Sequence, residues 1–383
     1  MRQKSLLKSF KMRRKRPLIL VGIIVVILAI FIVKTANVYP FLFHLVFDKG
    51  VVLKQENNNI NVLLLGIGGG SHDGPNLTDT IILATINQKT NKIVLTSIPR
   101  DLWVPEIDSA NKKINEAYNI GEIKRKGGGG LILAEAIVGK VTGQQIDYGI
   151  RVDFSGFVKA VDVIGGLDVN VDNAFDDYAY PISGKEDEAC GNTEEDIKAY
   201  TESGTASAEL ELAKFPCRYK HLRFDKGLTH MDGETALEFV RSRHASGAEG
   251  SDFARSKRQE KIIKAFKDKV LSAQTLINPA KVIELYNILS GSIDTDIKQN
   301  EFDDFIRLAN QMRRAEIVSS VVDTGDEATN RPGLLINPPI SSEYSYAWVL
   351  IPRVGNGNFT EIQNYISCEV NKETCLISPT PIH

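Results

Sequence analysis

The sequence predicts a single three-layer α/β/α domain, with helices on both faces of a central mixed sheet, preceded by one N-terminal transmembrane helix. Three observations predict it. Strand-like and helix-like patterns alternate from residue 59 onward, the order that builds α/β folds. The first strand candidate, NVLLLGIG, is continuously apolar and ends in glycines, as a strand buried on both faces does. The chain also opens with MRQKSLLKSFKMRRKR, eight basic residues and no acid, running straight into the apolar PLILVGIIVVILAIFIV.

That opening sets the organisation. Residues 17–34 read as an uncleaved signal anchor, because Lys34 and Asn37 interrupt any small-residue cleavage site after Val33. The positive-inside rule then leaves residues 1–16 as a cytoplasmic tail and places the rest outside a cell membrane. Residues 35–58 form a juxtamembrane stem ending in QENNN, 59–325 the extracytoplasmic domain, and 326–383 a C-terminal extension. A hydrophobic fraction of 43% with 25% charged residues supports a real core. A net charge of -2 argues against a general nucleic-acid binder, so any anion binding is local. Four cysteines in an oxidising compartment suggest disulfides, with the local pairs Cys190–Cys217 and Cys368–Cys375 expected. No C-x-x-C spacing argues for a metal site.

The elements follow in order. Thr80–Asn87 and Lys92–Ile98 read as two strands joined by the polar turn QKTN. Helical patterns cover about 113–121 and 131–142, with GGGG between them as a loop. YGIRVDFSGFVKAVDVIGGLDVNV reads strand, helix, glycine turn, strand. Residues 177–217 form an acidic surface insertion. MDGETALEFVRSRH starts a helix capped by Asp232, and DFARSKRQEKIIKAFKDKVL starts another with Asp252 placed as its cap. Further helices are expected at about 279–290 and 299–312, then a strand in YAWVLIPR and a short helix in FTEIQNYI.

Chemistry concentrates in two places. Ser97-Ile98-Pro99-Arg100-Asp101 follows a strand directly, where α/β sheets place ligands. Antiparallel pairing brings Asp79 beside Arg100 and Asp101. The second place is VRSRHASGAEGSDFARSKRQ, in which Arg241, Arg243, Arg255 and Arg258 are accompanied only by Glu249 and Asp252. Arg255, Arg258 and Gln259 share a helix face by spacing. Guanidinium forks suit phosphate better than a solvated face requires. GIGGGSHDG fails the dinucleotide pattern at Ser71, and no G-K-[ST] is present. Arginines with one or two acids and no strong nucleophile fit phosphoryl chemistry.

These pieces resemble the LytR-CpsA-Psr family of cell-envelope enzymes: NVLLLGIG, LTDTIILATINQKTNKIVLTSIPRDLWV, KINEAY, GLTHMDGETALEFVRSRH and DFARSKRQ, in the family's order over about 60–275. The resemblance implies a phosphotransferase that moves an anionic glycan from a polyprenyl pyrophosphate carrier onto peptidoglycan. It implies Mg²⁺ (or Mn²⁺) on Asp79, Arg100 as a pyrophosphate ligand, and Asp101 as its orienting partner. Arg241 and Arg243 match the family's R-x-R pair, and Arg255 and Gln259 its DF-x-R-x-x-R-Q positions, with Arg258 alongside. Gly68 and Leu77 depart from the family, where many members carry aspartate and arginine. His72 and Asp73 are candidates to replace them, Asp73 as a metal ligand. Asp73 and Asp101 both stand as bases for the acceptor hydroxyl. A pyrophosphohydrolase and a non-catalytic polyprenyl-phosphate binder are the alternative functions.

Overall fold

The computed structural model describes residues 53–56, 58–70, 74–202, 208–270, 272, 275, 279–326, 330–371 and 375–378. The expected anchor, residues 17–34, lies outside them, and among the described residues no helix is long and apolar enough to cross a membrane. The chain divides into two compact units. Lys298–Ala309 belongs to one, where the Lys298 amide donates to Glu301 Oε2 at 2.9 Å. Lys54–Ile297 and the chain from Asn310 onward belong to the other.

The larger unit is a mixed α/β domain. Its first strands are β1 (Asn59–Ile67), β2 (Thr78–Asn87), β3 (Lys92–Ser97), β4 (Trp103–Ile107) and β5 (Ala110–Lys113). Helices α1 (Ala117–Lys124) and α2 (Gly129–Thr142) follow, then β6 (Tyr148–Asp153), α3 (Phe154–Ile164), β7 (Leu167–Val171) and β8 (Phe175–Pro181). The acidic insertion carries α4 (Glu194–Glu202) and α5 (Ala208–Lys214). Next come β9 (Tyr219–Phe224), β10 (Gly227–Met231), α6 (Gly233–Arg241), α7 (Asp252–Val270), α8 (Pro279–Ser292) and β11 (Ile293–Thr295). Strand β12 (Glu316–Val321) and, further on, α10 (Thr360–Asn371) complete the elements of this unit that matter below, whereas most of helix α9 (Phe302–Gln311) belongs to the smaller unit.

Six strands make the central sheet in the order β11-β6-β1-β2-β3-β12. Pairs β1–β2, β2–β3 and β6–β11 are antiparallel, whereas β1–β6 and β3–β12 are parallel, so the sheet is mixed as expected. Leu63, Leu65 and Ile81 pack on one face against Tyr118 of α1, Leu131 of α2 and Ile362 of α10. At the β12 edge, Ser319 meets Glu260 of α7 while its neighbour Ser320 meets Tyr365 of α10, so helices cover both faces there. A second core joins Val161 of α3 and Ile262 of α7 to the stacked pair Phe175–Phe224 (5.1 Å between centroids).

Three expectations shift. The GGGG loop is shorter than its sequence suggests, because Gly129 and Gly130 begin α2. A Cβ on Gly121 would sit 2.2 Å from the Gly129 carbonyl oxygen, and one on Gly130 would sit 2.6 Å from the Tyr118 ring. Glycine is there for close helix approach. Asp252 lies inside α7, and Ser251 Oγ instead accepts the Ala254 amide at 3.2 Å. YAWVLIPR supplies only the short strand Ile351–Pro352, together with a bridge from Leu350 to Leu102. Both expected disulfides, Cys190–Cys217 and Cys368–Cys375, are present.

Candidate active site

Antiparallel pairing of β2 and β3 places Ile82 opposite Ser97. Extending that register by three residues puts Asp79 opposite Arg100, and Arg100 Nη1 donates to Asp79 Oδ1. Arg100 Nε reaches Asp101 Oδ2 at 3.4 Å. Burial opposes the Arg100 charge, but Asp79 and Asp101 outweigh it and hold its pKa above the ordinary value. Asp101 is only 8% exposed and gathers further cations. Lys113, returned to the site by the β4–β5 hairpin, donates to Oδ1 at 2.8 Å, and Arg243 Nη2 lies 3.9 Å from Oδ2.

The second half of the site comes from α6, α7 and the segment between them. Asp232 caps α6 by accepting the Thr235 amide at 2.9 Å. The helix ends at Arg241, which lies over the Phe154 ring at 4.5 Å and donates to Tyr180 Oη at 3.5 Å. Beyond it, Asp177, fully buried, holds the chain. Its Oδ2 accepts from Ser242 Oγ (2.7 Å) and from the Arg243 and His244 amides (both 3.2 Å). Arg255 pairs with Asp252 at 2.7 Å. Arg243, with only the distant Asp101 oxygen beside it, is the strained cation: burial, then the charges of Arg255 and Arg100, push its pKa down to about 10.

These residues border two adjoining clefts of about 460 and 200 Å³ that share Arg100, Arg243, His244 and Arg255. The smaller also includes Asp79, Arg241 and Gln259. Gln259 is 8% exposed, and its Oε1 has no hydrogen-bond partner. Arg258 takes a different place from the shared anion-facing side its spacing suggests. It is 3% exposed and donates to the Phe239, Ser242 and Glu249 carbonyls (2.9, 2.8 and 2.8 Å) and to Glu249 Oε2 (3.2 Å). It braces the site wall. His72 and Asp73 lie outside the described residues.

Sequence reasoning missed Lys113, Asp177, Tyr180 and Trp348. Lys113 returns through the β4–β5 hairpin, and the other three reach the site through contacts between segments far apart in sequence, which local spacing does not reveal. Across both clefts, five cations (Arg100, Lys113, Arg241, Arg243, Arg255) face four carboxylates (Asp79, Asp101, Asp177, Asp252). The Asp177 carboxylate keeps its charge while accepting the hydroxyl and amide donors, so the clefts carry a surplus of one positive charge. Such a site suits a polyanion. Asp79 also fits a Mg²⁺ ion, which is usually held by one or two carboxylates together with phosphate oxygens and water. Among the described residues only Arg100 engages Asp79, through one oxygen, and the side chain is 30% exposed in the cleft. Among the described residues, no three His, Cys, Asp or Glu side chains cluster to hold a metal by themselves.

The model of the LytR_cpsA_psr family matches residues 43–333. A polyisoprenyl-teichoic acid–peptidoglycan teichoic acid transferase, TagU of Oceanobacillus iheyensis, is 29% identical over 250 residues, 65% of this chain and 62% of that protein. TagV of Bacillus subtilis, of the same description, is 27% identical over 277 residues, 71% of this chain and 57% of that protein. The match therefore spans less than two thirds of the length of these relatives. Among solved structures, protein gbs0355 of Streptococcus agalactiae superposes with a TM-score of 0.53 at 22% identity, covering 85% of this chain and 92% of that one. Bacillus subtilis TagV gives 0.51 at 21% identity, covering 84% and 100%. These likenesses establish the fold.

Proposed function

The chain belongs to the LytR_cpsA_psr family, and from that premise we propose that it is a glycopolymer–peptidoglycan phosphotransferase of the cell envelope. The donor is an anionic glycan on a polyprenyl pyrophosphate carrier, and the acceptor is a peptidoglycan hydroxyl. Relatives whose names describe transfer of teichoic acid to peptidoglycan support this reading. The observation that carries it is the convergence of Arg100, Arg243 and Arg255 on one cleft, with Arg243 held below its ordinary pKa by burial and by its own neighbours. A pyrophosphate relieves that repulsion.

In the reaction, the acceptor oxygen attacks the sugar-linked phosphorus. The bond from that phosphorus to the bridging oxygen breaks, and polyprenyl phosphate leaves with the bridging oxygen, which takes up the proton that the acceptor hydroxyl loses. Arg100, Arg243 and Arg255 hold the phosphate oxygens as charge moves onto the leaving group. Arg241 and Gln259 bind from the smaller cleft. Asp101 is the fixed counter-charge that orders Arg100, Lys113 and Arg243. Mg²⁺, held by Asp79, would add charge neutralisation on the leaving phosphate. The N-terminal segment would anchor the domain outside the membrane, a compartment in keeping with two disulfides.

The test uses the full chain in detergent with a polyprenyl pyrophosphate-linked glycan, Mg²⁺ and peptidoglycan fragments. Release of polyprenyl phosphate that requires the fragments, and falls about 10²–10³-fold in Arg100→Ala, is expected. Release at the same rate without acceptor means hydrolysis. Tight lipid binding with no turnover means a binding protein. Full activity of Arg100→Ala overturns the site assignment.

A further inference from the structure

The C-terminal extension adds a wall to the cleft. Trp348 lies beyond residue 333, where the family match ends, yet it borders the larger cleft with Arg100, Asp101, Lys113, Arg243 and Arg255. We infer that Trp348 is a stacking platform for a pyranose ring of the glycan next to the reacting phosphate. The inference builds on the proposed glycan chemistry, but its first test is independent of transfer.

Three observations carry it. First, the backbone that carries the indole is held in place. Leu350 donates to the Asp101 carbonyl (3.0 Å) and accepts from the Trp103 amide (2.8 Å), while Asn337 Nδ2 donates to the Val349 carbonyl (2.7 Å). The preceding turn is pinned by Tyr344, packed edge-on against Trp103 at 6.0 Å, and passes through left-handed conformations at Ser345 and Tyr346 (φ 54° and 56°). Such conformations persist in non-glycine residues only where the surroundings enforce them.

Second, this fixed segment buries Val349 (1% exposed) and Leu350 (3%) but leaves Trp348 48% exposed. Third, Trp348 is the one large apolar surface in an otherwise charged and polar lining. An isoprenoid chain gains by leaving water on every side, which an open, charge-rimmed cleft does not provide. A pyranose has an apolar C–H face to lay on an indole and a rim of hydroxyls for arginine, lysine and aspartate to bind. The same backbone bond that seats Trp348 ends on Asp101, so the platform is in fixed register with Arg100. The ring belongs either to the donor's linkage sugar or to the acceptor glycan.

The probe is chitotetraose, a neutral β-linked oligosaccharide, titrated into the full chain in detergent and followed by intrinsic fluorescence. The chain has two tryptophans, and Trp103 is buried. A saturable change in emission is expected in the wild type. In Trp348→Ala, calorimetry should show about 3- to 10-fold weaker oligosaccharide binding, with inorganic pyrophosphate binding unchanged. In the transfer assay, a similar rise in KM for the donor alone assigns the ring to the donor, and for the acceptor alone to peptidoglycan.

No saturable change in the wild type, or equal oligosaccharide binding by wild type and Trp348→Ala, overturns the platform. If Trp348→Ala also loses pyrophosphate binding, Trp348→Leu decides. Intact pyrophosphate binding with weakened oligosaccharide binding supports the platform, and any other result overturns it. Oligosaccharide binding without transfer would leave the platform standing and remove the proposed activity.

Discussion

Replacing Arg243 by glutamine is expected to stabilise the ligand-free protein while removing most of its response to pyrophosphate. Arg243 is pushed well below the ordinary guanidinium value, to about 10, first by burial and then by Arg255 and Arg100. Each pH unit corresponds to about 1.4 kcal/mol, so a fully buried guanidinium would cost about 3 kcal/mol. The side chain keeps 37% of its surface in water, and screening reduces the cost to about 1–2 kcal/mol. The folded site disfavours the cation, so this cost is present at every pH below about 10 and lifts only as pH rises through the folded pKa towards the ordinary guanidinium value. The advantage of the variant should therefore be flat from about pH 6 to 8.5. Pyrophosphate at one hundred times its Kd should stabilise the wild type by about 2.7 kcal/mol, and the variant far less at that concentration. Urea unfolding of the full chain in detergent, with and without inorganic pyrophosphate, measures both quantities. A variant less stable than wild type without ligand, or one gaining equally from pyrophosphate, would refute the reasoning.

Two further outcomes follow from buried groups. Asp177→Ala orphans the Ser242 hydroxyl and the Arg243 and His244 amides, and should cost about 3 kcal/mol or more together with most of the pyrophosphate affinity. Asp177→Asn should fall between, and a wild-type urea midpoint for Asp177→Ala would rule out its holding role. Glu135 of α2 is pushed up to about 7 by burial and then by Asp296. An acid whose folded pKa is raised contributes stability below its ordinary value of 4.5 that is lost as pH rises through about 7. Stability should thus fall by up to about 3 kcal/mol across that window, and Glu135→Gln should flatten the slope of a urea midpoint against pH.

The sheet and the first half of the site were legible because their signals are local. Continuous apolar runs marked the central strands, and one hairpin register was enough to bring Asp79 to Arg100. The arginine segment was legible as a cluster but not in its division of labour. Spacing put Arg255 and Arg258 on one helix face, yet Arg255 borders the cleft while Arg258 turns to backbone carbonyls. Helical periodicity gives an angle about the axis and says nothing of which neighbour waits there. Asp177 was hidden for a related reason. It opens an acidic, exposed insertion and looks like the start of it, whereas the chain buries it completely. Trp348 reaches Arg100 only because Leu350 bridges to Leu102 across the fold.

Asp177 and Arg258, acting on the same segment, explain how several guanidinium groups stay close together before any anion arrives. The segment between α6 and α7 carries Arg243 and lacks regular structure beyond one 3-10 turn, Gly247–Gly250, so most of its backbone groups need partners from elsewhere. Backbone bonds such as Ser246 to the Asp176 carbonyl satisfy some, and one buried anion and one buried cation hold others. Asp177 accepts the amides of Arg243 and His244, and Arg258 donates to the carbonyls of Phe239, Ser242 and Glu249. Ser242 is gripped from both sides, its hydroxyl by Asp177 and its carbonyl by Arg258. Mutual repulsion of Arg243, Arg255 and Arg100 would otherwise swing the segment outward. Held this way, the cations keep a ligand-ready geometry at the cost of a depressed Arg243 pKa, and the reorganisation that phosphate binding would otherwise require is already complete in the folded chain.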